Sequence, residues 1–249
     1  MRGAMVPAAL AVALAAVGLA SCGKPKTSEA PAEKSAVALP SSAGLSLEGR
    51  LAAIGTEPFW RLEIAPDGLV FSTPDGPDVK APFVAPSPDE AGASLASGKI
   101  KLRLIVQPCS DGMSEAAYPM RAEVDVAGVG AFKGCAYARW DNELEAMIPA
   151  IDACLGETTE PSPIVYAIRT ANGAIVRMAG VEDGERYDCE VDASGGAAVA
   201  ASEAPPAPGE GDPTFIRAPA DAPLKACAAV EMKGRDGATL GWEMKPGAC

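Results

Sequence analysis

The chain contains no histidine among its 249 residues. Without an imidazole there is no Ser-His-Asp or Cys-His activation of a nucleophile, no histidine metal ligand and no histidine pH switch. Aromatic residues are scarce as well, at 5% of the chain, so the core is expected to be built from small and β-branched side chains. Basic residues are outnumbered: 21 Lys and Arg stand against 33 Asp and Glu, for a net charge of −12. Such a surface repels nucleic acid and anionic lipid, and no nucleic-acid partner is expected. The acidity is evenly spread. Residues 45–155 carry 9 basic and 16 acidic groups and residues 156–249 carry 8 and 15, so neither half hides a basic patch.

What is present begins with an address. Arg2 is followed by an uncharged stretch rich in Ala, Val and Leu, from Gly3 to Gly18. That length suits the apolar core of a signal peptide and is too short to span a bilayer. It ends in Leu19-Ala20-Ser21-Cys22, which resembles the lipobox of bacterial lipoproteins. The resemblance implies a signal peptide over residues 1–21 and lipidation of Cys22, with acyl chains contributing about 0.8 kcal/mol per buried CH2. Gly23 and Lys24 follow, without the Asp that retains many lipoproteins in the inner membrane. The expected location is therefore the bacterial cell envelope, lipid-anchored and facing the periplasm, with the outer membrane favoured. Residues 22–44 are rich in Pro, Ser, Ala, Lys and Glu and show no apolar period. They read as a disordered tether, because they cannot bury enough apolar surface to offset the entropy of ordering.

Beyond the tether the period is two. Ile100, Leu102, Leu104 and Val106 alternate with Lys99, Lys101 and Arg103; Ala122, Val124 and Val126 alternate with Arg121, Glu123 and Asp125. Antiparallel strands with one wet face give this pattern. Further strands are expected at 46–54, 59–65, 69–73, 79–84 and 131–138, with turns at Asp67-Gly68 and Gly128 to Gly130. In the second half, Asn172-Gly173, Gly195-Gly196 and Asp236-Gly237 mark hairpins, and residues 203–213 read as a Pro/Gly loop. Between the halves a helix is expected from about Pro149 to Leu155, stopped at Gly156, with Pro149 in its first turn. The fold class is all-β: two small antiparallel barrel or sandwich units, residues 45–140 and 157–249, joined by a helical connector at 141–156.

Apart from Cys22, six cysteines remain: Cys109, Cys135, Cys154, Cys189, Cys227 and Cys249. An even number in an exported chain reads as a disulfide framework, with 15 possible connectivities. Neighbour pairing is the expectation here: Cys109–Cys135, Cys154–Cys189 and Cys227–Cys249. No C-x2-C pair occurs, so a thiolate zinc site is not expected, nor any other metal or cofactor.

Two motifs stand out. Gly55-Thr56-Glu57-Pro58-Phe59-Trp60 is followed by Cys109-Ser110-Asp111-Gly112-Met113-Ser114, then Tyr118-Pro119 and Gly134-Cys135-Ala136. Together they resemble an uncharacterised family of bacterial envelope proteins, and the first motif also resembles one found in lipoproteins with META domains. The likeness covers about residues 45–138. It implies an exported β-rich domain with Cys109 bridged to Cys135 and no established activity. Read physically, Phe59 and Trp60 are strand neighbours and face opposite sides, so one fills the core while the other covers a barrel end or lines a groove. Asp111 suits a tight turn, accepting hydrogen bonds from nearby backbone N–H groups. Glu57 and Asp111 could instead form a carboxylate pair of the glycosidase type, or Glu57 could pair with Arg61 or Arg103.

No catalytic residue is assigned. Glu57, Phe59, Trp60 and Asp111 are the candidate binding residues, and the chain reads as a non-catalytic envelope lipoprotein that binds a small ligand or an envelope protein. An inhibitor of an exported enzyme such as lysozyme is the alternative, since an acidic surface attracts a basic enzyme; a carboxylate-dependent hydrolase comes last.

Overall fold

The computed structural model describes residues 47, 49–159, 162–180, 185–217 and 229–244. The expected signal peptide, Cys22, the tether and the Cys227–Cys249 pair lie outside these residues. The rest folds as sixteen strands in two antiparallel sheets with one α-helix.

The first sheet has nine strands: β1 (Leu51–Thr56), β2 (Phe59–Ala65), β3 (Gly68–Ser72), β4 (Val79–Ala81), β5 (Ser87–Asp89), β6 (Gly92–Ser97), β7 (Ile100–Cys109), β8 (Tyr118–Val126) and β9 (Gly130–Ala138). Their spatial order is β4-β3-β2-β1-β9-β8-β7-β6-β5, so pairing of β1 with β9 joins two meanders into one curled sheet. Strict alternation sends Leu62, Ile64, Leu69, Phe71, Leu102, Leu104, Met120 and Val124 to one interior, where all are buried. β4 and β5 are the two edges of the sheet. Just past β4 the Pro82 carbonyl accepts from the Ser97 hydroxyl at 2.7 Å.

The second sheet holds β10 (Ile164–Thr170), β11 (Gly173–Ala179), β12 (Arg186–Asp192), β13 (Ala197–Ala201), β14 (Thr214–Ile216), β15 (Ala229–Lys233) and β16 (Thr239–Met244), in the order β13-β12-β11-β10-β14-β16-β15. All three glycine turns expected in this half join strands that pair with each other. A short 3-10 turn (Trp140–Glu143) leads into α1 (Leu144–Gly156). This helix starts five residues earlier than the sequence suggested and carries Pro149 inside it. The proline sits on the exposed side, so the carbonyl freed by its missing N–H is on the wet side. On the opposite side Leu144, Met147, Ile151 and Cys154 are buried against Ile164, Val176, Met178 and Cys189. That packing outweighs the cost of about 3 kcal/mol for an interior proline.

Both expected disulfides within the described residues are present. Cys109–Cys135 staples the first sheet, and Cys154–Cys189 ties α1 to β12. Each contributes on the order of 3 kcal/mol by the chain-entropy estimate.

Residues 203–213 form a loop, and this loop bridges the two sheets. Glu210 accepts from Arg177 (2.5 Å) and Arg186 (3.2 Å) of the second sheet. Two residues later Asp212 accepts from the Arg61 guanidinium and from the Tyr137 hydroxyl (2.6 Å) of the first. Alongside, Arg139 donates to Asp141 (2.9 and 3.1 Å) and to Glu243 of β16 (3.0 Å), and Arg50 donates to Asp141 at 3.2 Å. The Trp140 indole N–H donates to the Pro213 carbonyl at 3.1 Å.

Burial by itself would raise the pKa of Asp212, but the Arg61 and Arg139 charges and the Tyr137 hydroxyl hold it below the usual carboxylate range. At Asp188 burial is likewise outweighed, by hydrogen bonds from Arg177 and Ser202. Both folded-state values are depressed, so the stability they contribute is complete above the unfolded carboxylate pKa, about 3.9, and is lost as pH falls through the folded values. With no histidine to titrate, the melting temperature measured from pH 5 to 8 should be flat, then fall steeply below about pH 4. Asp212→Asn should lower stability at pH 7 by about 1–3 kcal/mol and make the acid limb shallower, as read by thermal melts across the series.

Candidate functional site

The two sequence motifs meet in space. β1 and β2 form a hairpin in which Thr56 faces Phe59, and the turn between them is Glu57-Pro58, joined by a cis peptide bond. The Thr56 hydroxyl donates to the backbone carbonyl of Asp111 at 2.9 Å. The loop between β7 and β8 therefore lies beside the hairpin turn, although 55 positions separate the residues in the chain.

Side-chain alternation then divides the hairpin's aromatic pair. Trp60 points inward and is 4% exposed, while Phe59 is 53% exposed. The indole packs against Phe71 and Phe132, with ring centroids 6.0 Å away in both cases. Two glycines make room for it. A Cβ on Gly55 would stand 2.0 Å from the indole Nε1, and one on Gly134 would stand 2.9 Å from Cζ2 and 1.9 Å from the Ile54 carbonyl oxygen. The indole N–H donates to the Lys133 carbonyl at 3.3 Å. Gly55, Trp60 and Gly134 thus form one packing unit, and the interior around Trp60 is filled by side chains.

Asp111 organises the neighbouring loop. One carboxylate oxygen accepts from the backbone N–H groups of Met113 (2.9 Å) and Ser114 (2.8 Å); the other accepts from the Ser114 hydroxyl (2.8 Å) and the Tyr118 hydroxyl (3.0 Å). Partial burial pushes its pKa up, but the hydrogen bonds from Ser114, Met113 and Tyr118 outweigh this and bring it to about 2. An acid so placed is ionised across the neutral range and holds no proton to donate. Beneath the loop, Ala52, Ala116, Tyr118, Cys135 and Tyr137 form a small core on the outer side of the first sheet. The Cys109–Cys135 disulfide crosses the same region.

The remaining candidates are solvent-facing. Glu57 is exposed at the hairpin turn. Arg61 does not pair with it; its partners are Glu63 (2.9 Å) and Asp212. Met113, quoted in the motif without a role, is 69% exposed at the tip of the Asp111 loop. Phe59, at the start of β2, and Met113, at the tip of the Asp111 loop, are therefore two large apolar side chains held in water. The sequence carried no sign that Thr56 bridges the motifs. The exposure of Met113 could have been anticipated from Gly112 and Ser114 on either side of it, a turn-forming setting that leaves a long side chain little to pack on.

A separate cavity of about 730 Å3 adjoins β6 to β9 and the segment before β5. Lys101, Arg103 and Lys133 supply positive charge beside Glu123 and Asp125 on the outward face, with Val84 as apolar wall, whereas the side chains of Leu95 and Phe132 turn to the interior. It does not include Phe59, Trp60 or Asp111.

The division between packing and surface residues can be measured. Gly134→Ala should cost about 1–3 kcal/mol in chemical denaturation, because its Cβ meets backbone as well as the indole. Phe59→Ser should change stability by no more than about 0.5 kcal/mol.

No protein-family model, curated protein or solved structure matches the chain. Its functional reading rests on the residues and geometry just described.

Proposed function

We propose that this protein is a lipid-anchored component of the bacterial envelope that works by binding a partner protein through the surface where its two motifs meet. The observation that carries the reading is the exposure of Phe59 and Met113, at 53% and 69%, on the β1–β2 hairpin and the loop that the Thr56–Asp111 hydrogen bond brings beside it. Large apolar side chains held in water on ordered loops are the usual chemistry of a contact surface. Glu57 beside Phe59 supplies a charged rim. Rigidity favours such a role, since loops already fixed by the disulfide, the Thr56 bond and the four bonds to Asp111 lose little entropy on binding. The Leu19-Ala20-Ser21-Cys22 sequence supplies the anchor and residues 22–44 the reach.

A photo-cross-linking amino acid placed at position 59 or 113 of the full chain, in a lipoprotein-processing host, should trap a discrete partner. The same group at Asp67, on the β2–β3 turn, should not. Equal labelling from all three positions, or none, would sink the proposal. The anchor has its own test: Cys22→Ser should abolish incorporation of radiolabelled palmitate and leave the signal peptide uncleaved.

The cavity supports a second reading, binding of a small amphipathic anion by Lys101, Arg103 and Lys133 beside Val84. Here Arg103→Glu should remove the rise in melting temperature caused by a long-chain fatty acid, while cross-links from position 59 persist.

A further inference from the structure

Among the described residues each sheet ends in two edge strands, and three of the four are guarded. β4 carries Lys80 at its centre, β5 carries Pro88 and Asp89, and β15 carries Glu231 and Lys233. Charges and proline at an edge discourage pairing with another chain. The fourth edge, β13, is Ala197-Ala198-Val199-Ala200-Ala201, with no charge and no proline. Its residues from Ala198 onward are exposed, Val199 among them at 36%.

The ladder fixes which backbone groups are free. The Asp192 N–H donates to the Gly196 carbonyl and the Ser202 N–H to the Arg186 carbonyl. In the β12–β13 register, Glu190 faces Ala198 and Asp188 faces Ala200. Hydrogen-bonded pairs therefore fall on even positions, and Ala197, Val199 and Ala201 aim their N–H and C=O groups away from the sheet. Among the described residues nothing pairs with this row of donors and acceptors.

We propose that β13 is a homodimerisation strand, joining antiparallel to β13 of a second copy about a two-fold axis at Val199. A two-fold axis at Val199 sets like against like, Val199 on Val199 and alanine on alanine, so the isologous contact opposes no charge and no bulky side chain. Val199 then faces its own symmetry mate, and Ala197 faces Ala201 of the second copy. All of these are outward-pointing positions, so each opposed pair can exchange both of its hydrogen bonds with no change in register. The alanine side chains leave room for the approach. Two seven-stranded sheets become one continuous sheet, by strand addition. This contact lies on the second sheet and does not depend on the Phe59–Met113 surface.

The test uses the full chain in detergent, by sedimentation equilibrium over a range of protein concentrations. A monomer–dimer equilibrium is expected. Each copy carries −12, so association should tighten as salt screens the repulsion. Val199→Pro removes an outward N–H and leaves the ladder to β12 intact, and should weaken the dimer about tenfold or more with an unchanged far-UV circular dichroism spectrum. Should that variant misfold, Val199→Cys gives an independent reading. It should form a covalent dimer on a non-reducing gel under mild oxidation, whereas Val230→Cys on guarded β15 should not. A wild-type chain that stays monomeric, a dimer indifferent to Val199→Pro, or equal cross-linking from positions 199 and 230 would overturn the proposal. The last result, or a hetero-complex through β13 alone, would mean that the edge serves a different chain or none.

Discussion

Asp212 reaches from the second sheet's loop into a nest of groups on the first, where Arg61 and Tyr137 donate to it and Arg139 stands 3.9 Å away. Much else in the molecule hangs on that carboxylate. Arg139 is only 7% exposed and Asp141 is buried beside it, so charges in this region have surrendered most of their water. Pairing buried charges returns roughly what desolvation costs, but removing one partner leaves the other unsatisfied at a cost of several kcal/mol. The network's chief effect is thus selective. It admits an arrangement in which each guanidinium finds its carboxylates and penalises those in which one does not.

Local patterns in the chain anticipated much of this architecture, and it is instructive where they stopped. Strands such as Ile100–Cys109 and Tyr118–Val126 announced themselves because apolar and charged residues alternate sharply. β6 did not. Its inward Ala93, Leu95 and Ser97 alternate with Ser94 and Ala96, and small residues on both faces erase the contrast. Pro149 misplaced the start of the helix because the rule against interior prolines is local, whereas the burial of Leu144 and Met147 that overrides it comes from another part of the chain. Cysteine neighbour pairing succeeded within the described residues because meander topology keeps sequence neighbours close in space.

The candidate site was visible in part. Alternation alone separated Phe59 from Trp60, and a turn-holding role for Asp111 followed from the chemistry of its side chain. Contacts between distant segments left no trace. Thr56 reaches Asp111 across 55 positions, and Arg61 reaches Asp212 across 151. Neither is encoded in any short window of residues. The glycines illustrate the same divide: Gly55 and Gly134 belong to different motifs, yet both are needed because one indole lies over each of them.

The bridging loop also orders events in time. A chain emerging from its N-terminus can pair β1 with β9 once residue 138 is out, but Arg61 and Arg139 must wait for Asp212 and Glu243. Until then Arg61 has Glu63 and Arg139 has Asp141, while Asp212 and Glu243 are still to come. The ion-pair network that joins the two sheets is therefore complete only once Asp212 and Glu243 have arrived, although each sheet has its own core.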